Sequence, residues 1–557
     1  MRPLDAFRTL SLVLALTVWS SSSTRADEPK QAEPTGASVV EPGENADDML
    51  RRGIELERKR SWTAAIEVYD ASLHRWPERA DVRQRLRLCE SHYKLSRRYT
   101  DASFRTVLLR LPADKALDLY DELLERIESH YVEAVALEPL LRHGLDNLEV
   151  ALRDPAFLQA NAPTADADRL KRLRDTFRSH RERIPARGRD DARRFVIWAC
   201  TEARSALGIG SAAIVLEFAF GACDALDDYS NYLTPDKLDD LFGLIDGNFV
   251  GLGVELKVDD QGLRLVNVLP GGPAAEAGLR IGDRITHVAG RVLKGLALDE
   301  AAGTLQGEEG TTVEIGVLPR SGESRRLNLT RRAVEVRSVS QSRIVDPIEK
   351  VGYVQLTGFQ KTSTEELRKA ISGLERQGMR YLVLDLRGNP GGLLNVAVDI
   401  ADLFLDQGVI VTTRGRASNQ SAVYPAHAGA LWRMPVAVLV DHDSASASEI
   451  LAGALKDNRR AVIVGERSYG KGSVQSIFPL RTAPAGLKLT TARFYSPKDR
   501  PYSEQGVEPD LPVTARIAAK PARGSTSAPE IEFGDPLHDP VLDRAIQQAK
   551  RQLSTVR

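Results

Sequence analysis

The sequence has few cysteines and almost no net charge, and both features limit the classes of fold and of binding partner to be considered. Only three cysteines occur in 557 residues, at Cys89, Cys200 and Cys223. Such a chain does not rest on a disulfide framework, and one bridge with one thiol or three buried thiols are the alternatives. The spacing of the cysteines does not indicate a metal site. The 76 basic and 77 acidic residues leave a net charge of −1, which argues against nucleic acid or an anionic membrane as the partner.

The apolar run near the N-terminus is short. It covers Leu10–Trp19, too little to cross a bilayer core of about 30 Å. Arg2 and Arg8 precede it, and small polar residues ending at Ala26 follow it, which is the pattern of a secretory signal. We therefore predict a signal peptide over residues 1–26 and an exported protein, either periplasmic or extracellular. Membrane association is kept as an alternative.

The remaining chain has ordinary globular composition, with 42% hydrophobic and 27% charged residues, and its length suggests several domains. Helical periodicity covers the N-terminal half, strand alternation begins near residue 247, and strands then alternate with helices. The predicted multidomain order is a linker over 27–48, a tetratricopeptide-like helical hairpin over 49–102, a helical region over 103–240, a small β-barrel with two helices over 245–335, an α/β core over 340–515, and a linker with a C-terminal helix over 516–557.

Two loops of the α/β core follow apolar strands, where such sheets bind ligands. The first, residues 387–392, is rich in glycine. It suits an oxyanion hole made of backbone N–H groups, although a simple tight turn is the alternative. The second ends at Ser446, at the start of a predicted helix. Ser446 and Glu449 have capping-box spacing, so Ser446 is predicted to cap this helix, to act as a nucleophile, or both.

A base is needed to activate the Ser446 hydroxyl. His442 with Asp441 or Asp443 offers a Ser/His/Asp triad, but triad members usually come from separate loops, and these residues share one turn. Lys471 is the better candidate, because its glycine-rich loop also follows a predicted strand. Burial can leave a lysine amine without its proton, although a surface lysine in a hairpin is the alternative.

Several segments resemble the carboxy-terminal processing peptidases, also called tail-specific proteases. SASASEILAGALKD and SYGKGSVQ match their two active-site segments, LVLDLRGNPGGLL their glycine loop, and GNFVGLGVEL the entry to their PDZ domain. The resemblance covers about residues 227–513, with a weaker match around 119–154. One departure is Asp443, where the family often has glycine. An extra carboxylate there is expected to favour a charged lysine.

The resemblance implies the roles of particular residues. Ser446 corresponds to the nucleophile, Lys471 to the general base and Gln475 to the residue that positions it. Gly392 and Ala447 correspond to the two backbone donors of the oxyanion hole. In the PDZ domain, the loop that binds a terminal carboxylate corresponds to Gly251, Leu252, Gly253 and Val254, and the helix predicted over 298–305 completes the groove.

The sequence thus predicts an exported serine endopeptidase that takes protein substrates by their C-terminal tails. No metal or organic cofactor is implied. One alternative is a non-catalytic PDZ and helical-repeat adaptor with an inactive protease domain, and another is a binding protein of the same fold that resembles the retinoid-binding relatives. The PDZ domain is expected to capture tails, to gate the site or to serve as scaffold. The N-terminal helices are expected to form a homo-oligomer or to bind an adaptor.

Overall fold

A computed structural model describes residues 12–15, 44–184, 188–259, 261–294, 296, 298–320, 322–514 and 534–555. The predicted signal peptide, apart from strand β1 (Leu12–Ala15), and most of the two predicted linkers lie outside these residues. Within the described part, no helix has the length and apolar character needed to cross a membrane. The sequence left open either one disulfide with one free thiol or three buried thiols. In the structure, Cys89, Cys200 and Cys223 are all buried free thiols.

The N-terminal half is helical. Residues 46–100, where the sequence predicts a hairpin, form three consecutive helices. The elements are α1 (Ala46–Arg58), α2 (Trp62–Arg75), α3 (Ala80–Thr100), α4 (Ala102–Thr106), a 3-10 turn (Leu108–Arg110), α5 (Ala113–His130), α6 (Leu137–Ala151), α7 (Pro155–Asn161), α8 (Ala167–His180), α9 (Arg189–Leu207), α10 (Ser211–Asp224), the strand β2 (Asn231–Leu233) and α11 (Pro235–Asp246).

Helix α10 is the centre of this helical region. It is apolar on nearly all sides, as a helix enclosed by others must be, and it packs on α5, α6 and α9. Glycine allows α10 to approach α6 closely, because a Cβ atom on Gly221 of α10 would lie 2.5 Å from the Cα atom of Gly144 in α6. The same hydrophobic core reaches Leu487 and Leu489 in a sheet of the α/β region, so the helices and that sheet share it.

The β-barrel follows as predicted, with its own hydrophobic core. Its main sheet has the order β4-β5-β6-β8-β9, which leaves β4 at an edge, and β3 pairs with β10 outside it. The elements are β3 (Asn248–Gly251), β4 (Val254–Asp259), β5 (Gly262–Val268), α12 (Pro273–Glu276), β6 (Arg284–Val288), β7 (Arg291–Val292), α13 (Leu298–Gly303), β8 (Thr312–Leu318), β9 (Arg325–Thr330) and β10 (Arg332–Glu335).

The α/β core contains two sheets. The first has the order β11-β12-β13-β17-β18-β21, parallel from β12 onward, and the second has the order β14-β1-β19-β20-β15-β16, with β2 on β20. The elements are β11 (Val339–Asp346), β12 (Val351–Leu356), α14 (Ser363–Arg376), β13 (Tyr381–Asp385), β14 (Gly392–Leu393), α15 (Leu394–Asp402), β15 (Val409–Gly415), a 3-10 turn (Ser418–Gln420), β16 (Ala422–Pro425), β17 (Val436–Val440), α16 (Ala447–Asp457), β18 (Ala461–Gly465), β19 (Ser473–Pro479), β20 (Gly486–Tyr495), β21 (Leu511–Pro512) and α17 (Pro540–Thr555).

The C-terminal helix α17 is part of this core. Its apolar residues, among them Leu542 and Ile546, pack on Tyr353 and Tyr381 at one face of the parallel sheet. Helices α14, α15 and α16 cover the other face. Coverage on both faces explains why β13 is buried along its whole length, which is the property that predicted a parallel strand from the sequence.

Candidate active site

Three loops meet at the carboxyl edge of the parallel sheet. They follow β13, β17 and β18, and they comprise residues 387–391, 441–446 and 466–472. The first two loops are joined by the Ala445 N–H, which donates to the Asn389 carbonyl at 3.1 Å, and by the Gly388 N–H, which donates to the Asp441 carboxylate at 3.0 Å. The Tyr469 N–H donates to the Ser444 carbonyl at 3.0 Å and attaches the third loop. These bonds place the predicted glycine, serine and lysine segments side by side.

Ser446 has a strained backbone and an unused hydroxyl. Its φ is +61° and its ψ −112°, in a region that residues with a side chain rarely adopt. The residue is 0% exposed, and its Oγ has no hydrogen-bond partner among the described residues. The predicted capping by this hydroxyl is therefore not seen. The backbone turns the side chain away from the helix end, so the hydroxyl remains available for chemistry.

Glu449 connects the serine to the lysine, a role that the sequence did not reveal. Its Oε2 accepts from the N–H of Ser446 at 2.6 Å and from the N–H of Lys471 at 3.0 Å. Its Oε1 accepts from Gly470 N at 2.7 Å and from Ser468 Oγ at 2.6 Å. Burial raises the pKa of this carboxyl to about 7, and these hydrogen bonds oppose the rise. The capping-box spacing predicted the first bond, but not the three that hold the lysine loop.

Lys471 lies in a closed pocket. It is 1% exposed, and its Nζ lies 4.7 Å from the centroid of the Tyr229 ring. Burial is the main reason that the pKa of this amine lies well below its usual range. The positive charge of Lys488 lowers it further, whereas Glu449 and Asp227 oppose the shift. A buried amine with a lowered pKa can lose its proton near neutral pH, as a general base must.

Asp443 and His442 do not have the roles that the sequence offered them. Glu449 and Asp227 are the carboxylates that act on Lys471, whereas Asp443 lies against His442, with 3.4 Å between Oδ2 and Nε2. Burial raises the pKa of the Asp443 carboxyl. The His442 side chain is 74% exposed, and Ser446 Oγ makes no hydrogen bond to it. The one-turn Ser/His/Asp triad is therefore not assembled.

Gln475 is buried beside this pocket on β19. Its Nε2 donates to Ser473 Oγ at 2.9 Å and to Thr490 Oγ1 at 3.3 Å, which fixes the amide group. Its Oε1 is buried and has no hydrogen-bond partner among the residues described. This oxygen can accept an N–H from an amine, in keeping with the positioning role that the resemblance implies for Gln475.

The predicted oxyanion donors, Gly392 and Ala447, lie in β14 and at the start of α16, and these two elements contact each other. Ala447 is the first residue of α16, so its N–H has no acceptor within the helix. Gly392 has φ +147°, and a Cβ atom there would lie 2.3 Å from the Phe359 carbonyl oxygen. Only glycine fits this position without a shift of the Phe359 backbone.

The predicted carboxylate loop joins β3 to β4. Gly251 ends β3, Leu252 is buried, Gly253 has φ +76°, and Val254 begins β4. Helix α13 contacts β4, which is an edge strand of its sheet. The helix ends at Gly303, two residues before the predicted end. An edge strand beside a helix is the arrangement that accepts a peptide as an added strand.

Comparisons with known proteins agree with this architecture. The profile of peptidase family S41 matches residues 350–513, and a PDZ domain profile matches residues 264–319. A carboxy-terminal-processing protease of Bartonella bacilliformis is 37% identical over 303 residues, which cover 53% of this chain and 68% of that protein. The chain belongs to the family of carboxyl-terminal-processing proteases. A carboxyl-terminal-processing protease from a Picosynechococcus species is 35% identical over 325 residues, covering 58% of this chain and 78% of the relative.

The fold class predicted from the sequence is confirmed for this carboxyl-terminal-processing protease: a helical N-terminal region, a PDZ domain and an S41 peptidase core. Membership of S41 makes it a serine peptidase, as predicted. Among solved structures, the photosystem II D1 C-terminal processing protease is similar, with 28% identity over 72% of this chain and 93% of that chain, at a TM-score of 0.38.

Proposed function

We propose that this protein is an exported serine endopeptidase that captures C-terminal tails of proteins at its PDZ domain and cleaves them with a Ser446/Lys471 dyad. The observation that carries the proposal is the Glu449 carboxylate. One of its oxygens accepts the backbone N–H of both Ser446 and Lys471, so the nucleophile and the base are held by a single buried group. A non-catalytic adaptor has no need of a buried serine hydroxyl that lacks a hydrogen-bond partner among the described residues, on a loop held beside that of a buried lysine.

The chemistry follows from these positions. The neutral Lys471 amine takes the Ser446 proton as Oγ attacks the substrate carbonyl, and Gly392 and Ala447 donate their N–H groups to the oxyanion. The ammonium then gives its proton to the leaving amine, and the C–N bond breaks. In the second half, the neutral Lys471 amine takes a proton from the water that attacks the acyl-enzyme carbonyl. The ammonium returns that proton to Ser446 Oγ as the ester C–O bond breaks, which releases the new carboxyl terminus. Gln475 Oε1 orients the amine throughout.

Strand edges in two domains support a peptide substrate. In the PDZ domain, β4 lies at an edge with Val254 and Leu256 half-buried, and an apolar tail can pair with it. In the core, β1 pairs with Gly392 of β14 and with Gln475 of β19. A chain cleaved after Ala26 lacks β1, which leaves both edges to an extended substrate next to the serine.

The proposal includes export and a partner surface. Export rests on the N-terminal sequence pattern, and fractionation of cells that produce the full chain tests it, because a chain of uncleaved mass in the cytoplasm would contradict it.

For the helices α1 to α3 we retain self-association or adaptor binding. Residues of α2 and α3, among them Tyr69 and Cys89, form a small core of their own, whereas Leu95 and Tyr99 near the end of α3 pack into the larger helical core. Light scattering on the whole chain over a range of concentrations tests self-association, and a monomeric mass at every concentration would contradict it.

Cleavage of a protein with an apolar C-terminal tail tests the dyad. We expect Ser446→Ala and Lys471→Met to lose cleavage, since each removes one reacting group. The matched control is Lys498→Met, a lysine whose side chain is 58% exposed and which lies outside the site, and this variant should retain wild-type rates. Cleavage unchanged in both dyad variants would exclude the proposed chemistry.

Tail capture has a separate test. Amidation of the substrate C-terminus removes the carboxylate that the loop from Gly251 to Val254 is proposed to bind. We expect KM to rise with little change in kcat, because the carboxylate contributes to binding and not to the reacting bond. Equal KM values for the free and the amidated substrate would remove the capture role and leave the PDZ domain as a scaffold.

A further inference from the structure

A second buried lysine lies close to the proposed base. Lys488 is 4% exposed and sits on β20, where it pairs with Ile477 of β19 on one side and with Asn231 of β2 on the other. Its neighbours in sequence, Leu487 and Leu489, pack into the helical core. Because side chains alternate along a strand, Lys488 points to the opposite face, toward the peptidase core.

That face of β20 forms a wall of the lysine pocket. Thr490 lies two residues beyond Lys488 and shares its face, and the Thr490 hydroxyl contacts Gln475 Nε2 at 3.3 Å. The Thr490 N–H donates to Ser230 Oγ at 3.1 Å. The strand that carries Lys488 is thereby joined to the residue that positions the base and to the turn that covers it.

The turn over the pocket is built around Asp227. One oxygen of this carboxylate accepts from the N–H of Tyr229 at 3.1 Å and from the N–H of Ser230 at 2.7 Å, and the other accepts from the Tyr131 hydroxyl at 3.4 Å. These bonds fix the turn, and the turn places the Tyr229 ring 4.7 Å from Lys471 Nζ. Asp227 is therefore close to the amine without being a hydrogen-bond partner in the dyad itself.

The amine thus faces charges from three elements. Lys488 on β20 disfavours its protonation, whereas Glu449 on α16 and Asp227 in the turn favour it. Tyr229, which covers the pocket, has a pKa raised mainly by burial and is neutral at working pH. Burial lowers the pKa of Lys488 to about 8, so below that pH it carries the charge that opposes protonation of Lys471.

We propose that Lys488 and Asp227 are positioning residues with opposite effects on the protonation of Lys471. Both act through the electrostatic field around its amine, and together they set the pH range in which Lys471 serves as a base. Neither residue touches the substrate bond. The inference rests on the proposed dyad, and it adds two residues to which neither the sequence motifs nor the resemblance gives a role.

The test is the pH profile of kcat/KM for Lys488→Met and Asp227→Asn between pH 5 and 10, in the chain that begins at Asp27 after removal of residues 1–26. Removing the positive charge should move the acid limb up by about one pH unit, and removing the negative charge should move it down by about one unit. Asparagine keeps an oxygen for the two N–H donors of the turn, so the geometry is retained. The double variant should return close to the wild-type profile, and Lys498→Met should leave it unchanged.

The outcomes separate this proposal from the dyad. The proposal is overturned if the acid limbs of Lys488→Met and Asp227→Asn both coincide with that of wild type, or if both move in the same direction. Inactive Ser446→Ala and Lys471→Met variants would still support the dyad in that case. If Lys471→Met remains active, the dyad itself fails. If Lys488→Met does not fold, the downward shift predicted for Asp227→Asn decides the question alone.

Discussion

The link between the glycine loop and the C-terminal helix gives the sharpest test of the fold around the site. Arg387 follows β13 at the start of the glycine loop, and its buried guanidinium donates to both oxygens of Asp539, at 2.9 and 2.6 Å. It also donates to Asp385. Asp539 precedes α17 and accepts the Leu542 N–H at 3.0 Å, as a helix cap does. Asp539→Asn keeps this cap and removes the charge opposite Arg387.

The expected cost follows from the burial of both partners. Removing one member of a buried ion pair costs about 3–5 kcal/mol, because the remaining charge is left without compensation. Asp385 still pairs with Arg387, so we expect the lower end, about 3 kcal/mol, which corresponds to slightly more than a hundredfold change in an opening equilibrium. The glycine loop should loosen with the helix, and kcat should fall because Gly392 lies at its end.

Amide hydrogen exchange followed by mass spectrometry measures the effect locally. In Asp539→Asn, the amides of α17 and of residues 387–392 should exchange about a hundredfold faster than in wild type. Asp543→Asn is the matched control, an exposed aspartate of the same helix that contacts Gln547, and it should change exchange about twofold or less. Exchange in Asp539→Asn that equals the control would refute the claim that this ion pair holds the loop.

Three further predictions concern the site. Glu449→Gln places an NH₂ group against N–H donors, so we expect kcat/KM on a tailed substrate to fall by about 10²-fold, and a loss under threefold would contradict the bridging role. Because Lys471 must be neutral to act, activity should fall as the pH is lowered from 7 to 5, and protonation of Glu449, whose pKa burial raises to about 7, should add to that fall; a flat kcat/KM profile there would be inconsistent with the account. Gly392→Ala brings a Cβ atom to 2.3 Å from the Phe359 carbonyl oxygen, and kcat should fall by about 10²-fold or more, whereas Gly373→Ala in α14, where the nearest atom lies at 3.8 Å, should retain wild-type kinetics.

Local patterns in the sequence were sufficient to predict the strands and helices that carry the site residues. The apolar strand predicted before the second loop is β17 (Val436–Val440), and the helix predicted from Ser446 begins one residue later, at Ala447. Apolar runs that are buried on both faces and glycine loops that follow them are signals of short range, so periodicity finds them. The placement of Ser446 and Lys471 at one edge follows from the parallel order of the strands.

Contacts between distant segments could not be predicted in this way. Arg387 meets Asp539 from 152 residues away, and the helix α17, which periodicity detected, gave no sign of lying on the sheet. The three bonds from Glu449 to the lysine loop depend on the packing of α16 against that loop. Asp443 looked important because it departs from the family pattern, yet the negative charges that act on Lys471 come from Asp227 and Glu449, which only the assembled fold brings near.

The most direct test of the dyad is to trap the acyl-enzyme. An activated ester substrate that acylates the enzyme faster than the acyl-enzyme hydrolyses is mixed with the chain that lacks residues 1–26. The mixture is quenched in acid, and the protein is mapped by mass spectrometry. The account predicts one acyl group, on Ser446, in wild type and none in Lys471→Met under the same conditions. An acyl group on another residue, or equal acylation of Ser446 without Lys471, would contradict it.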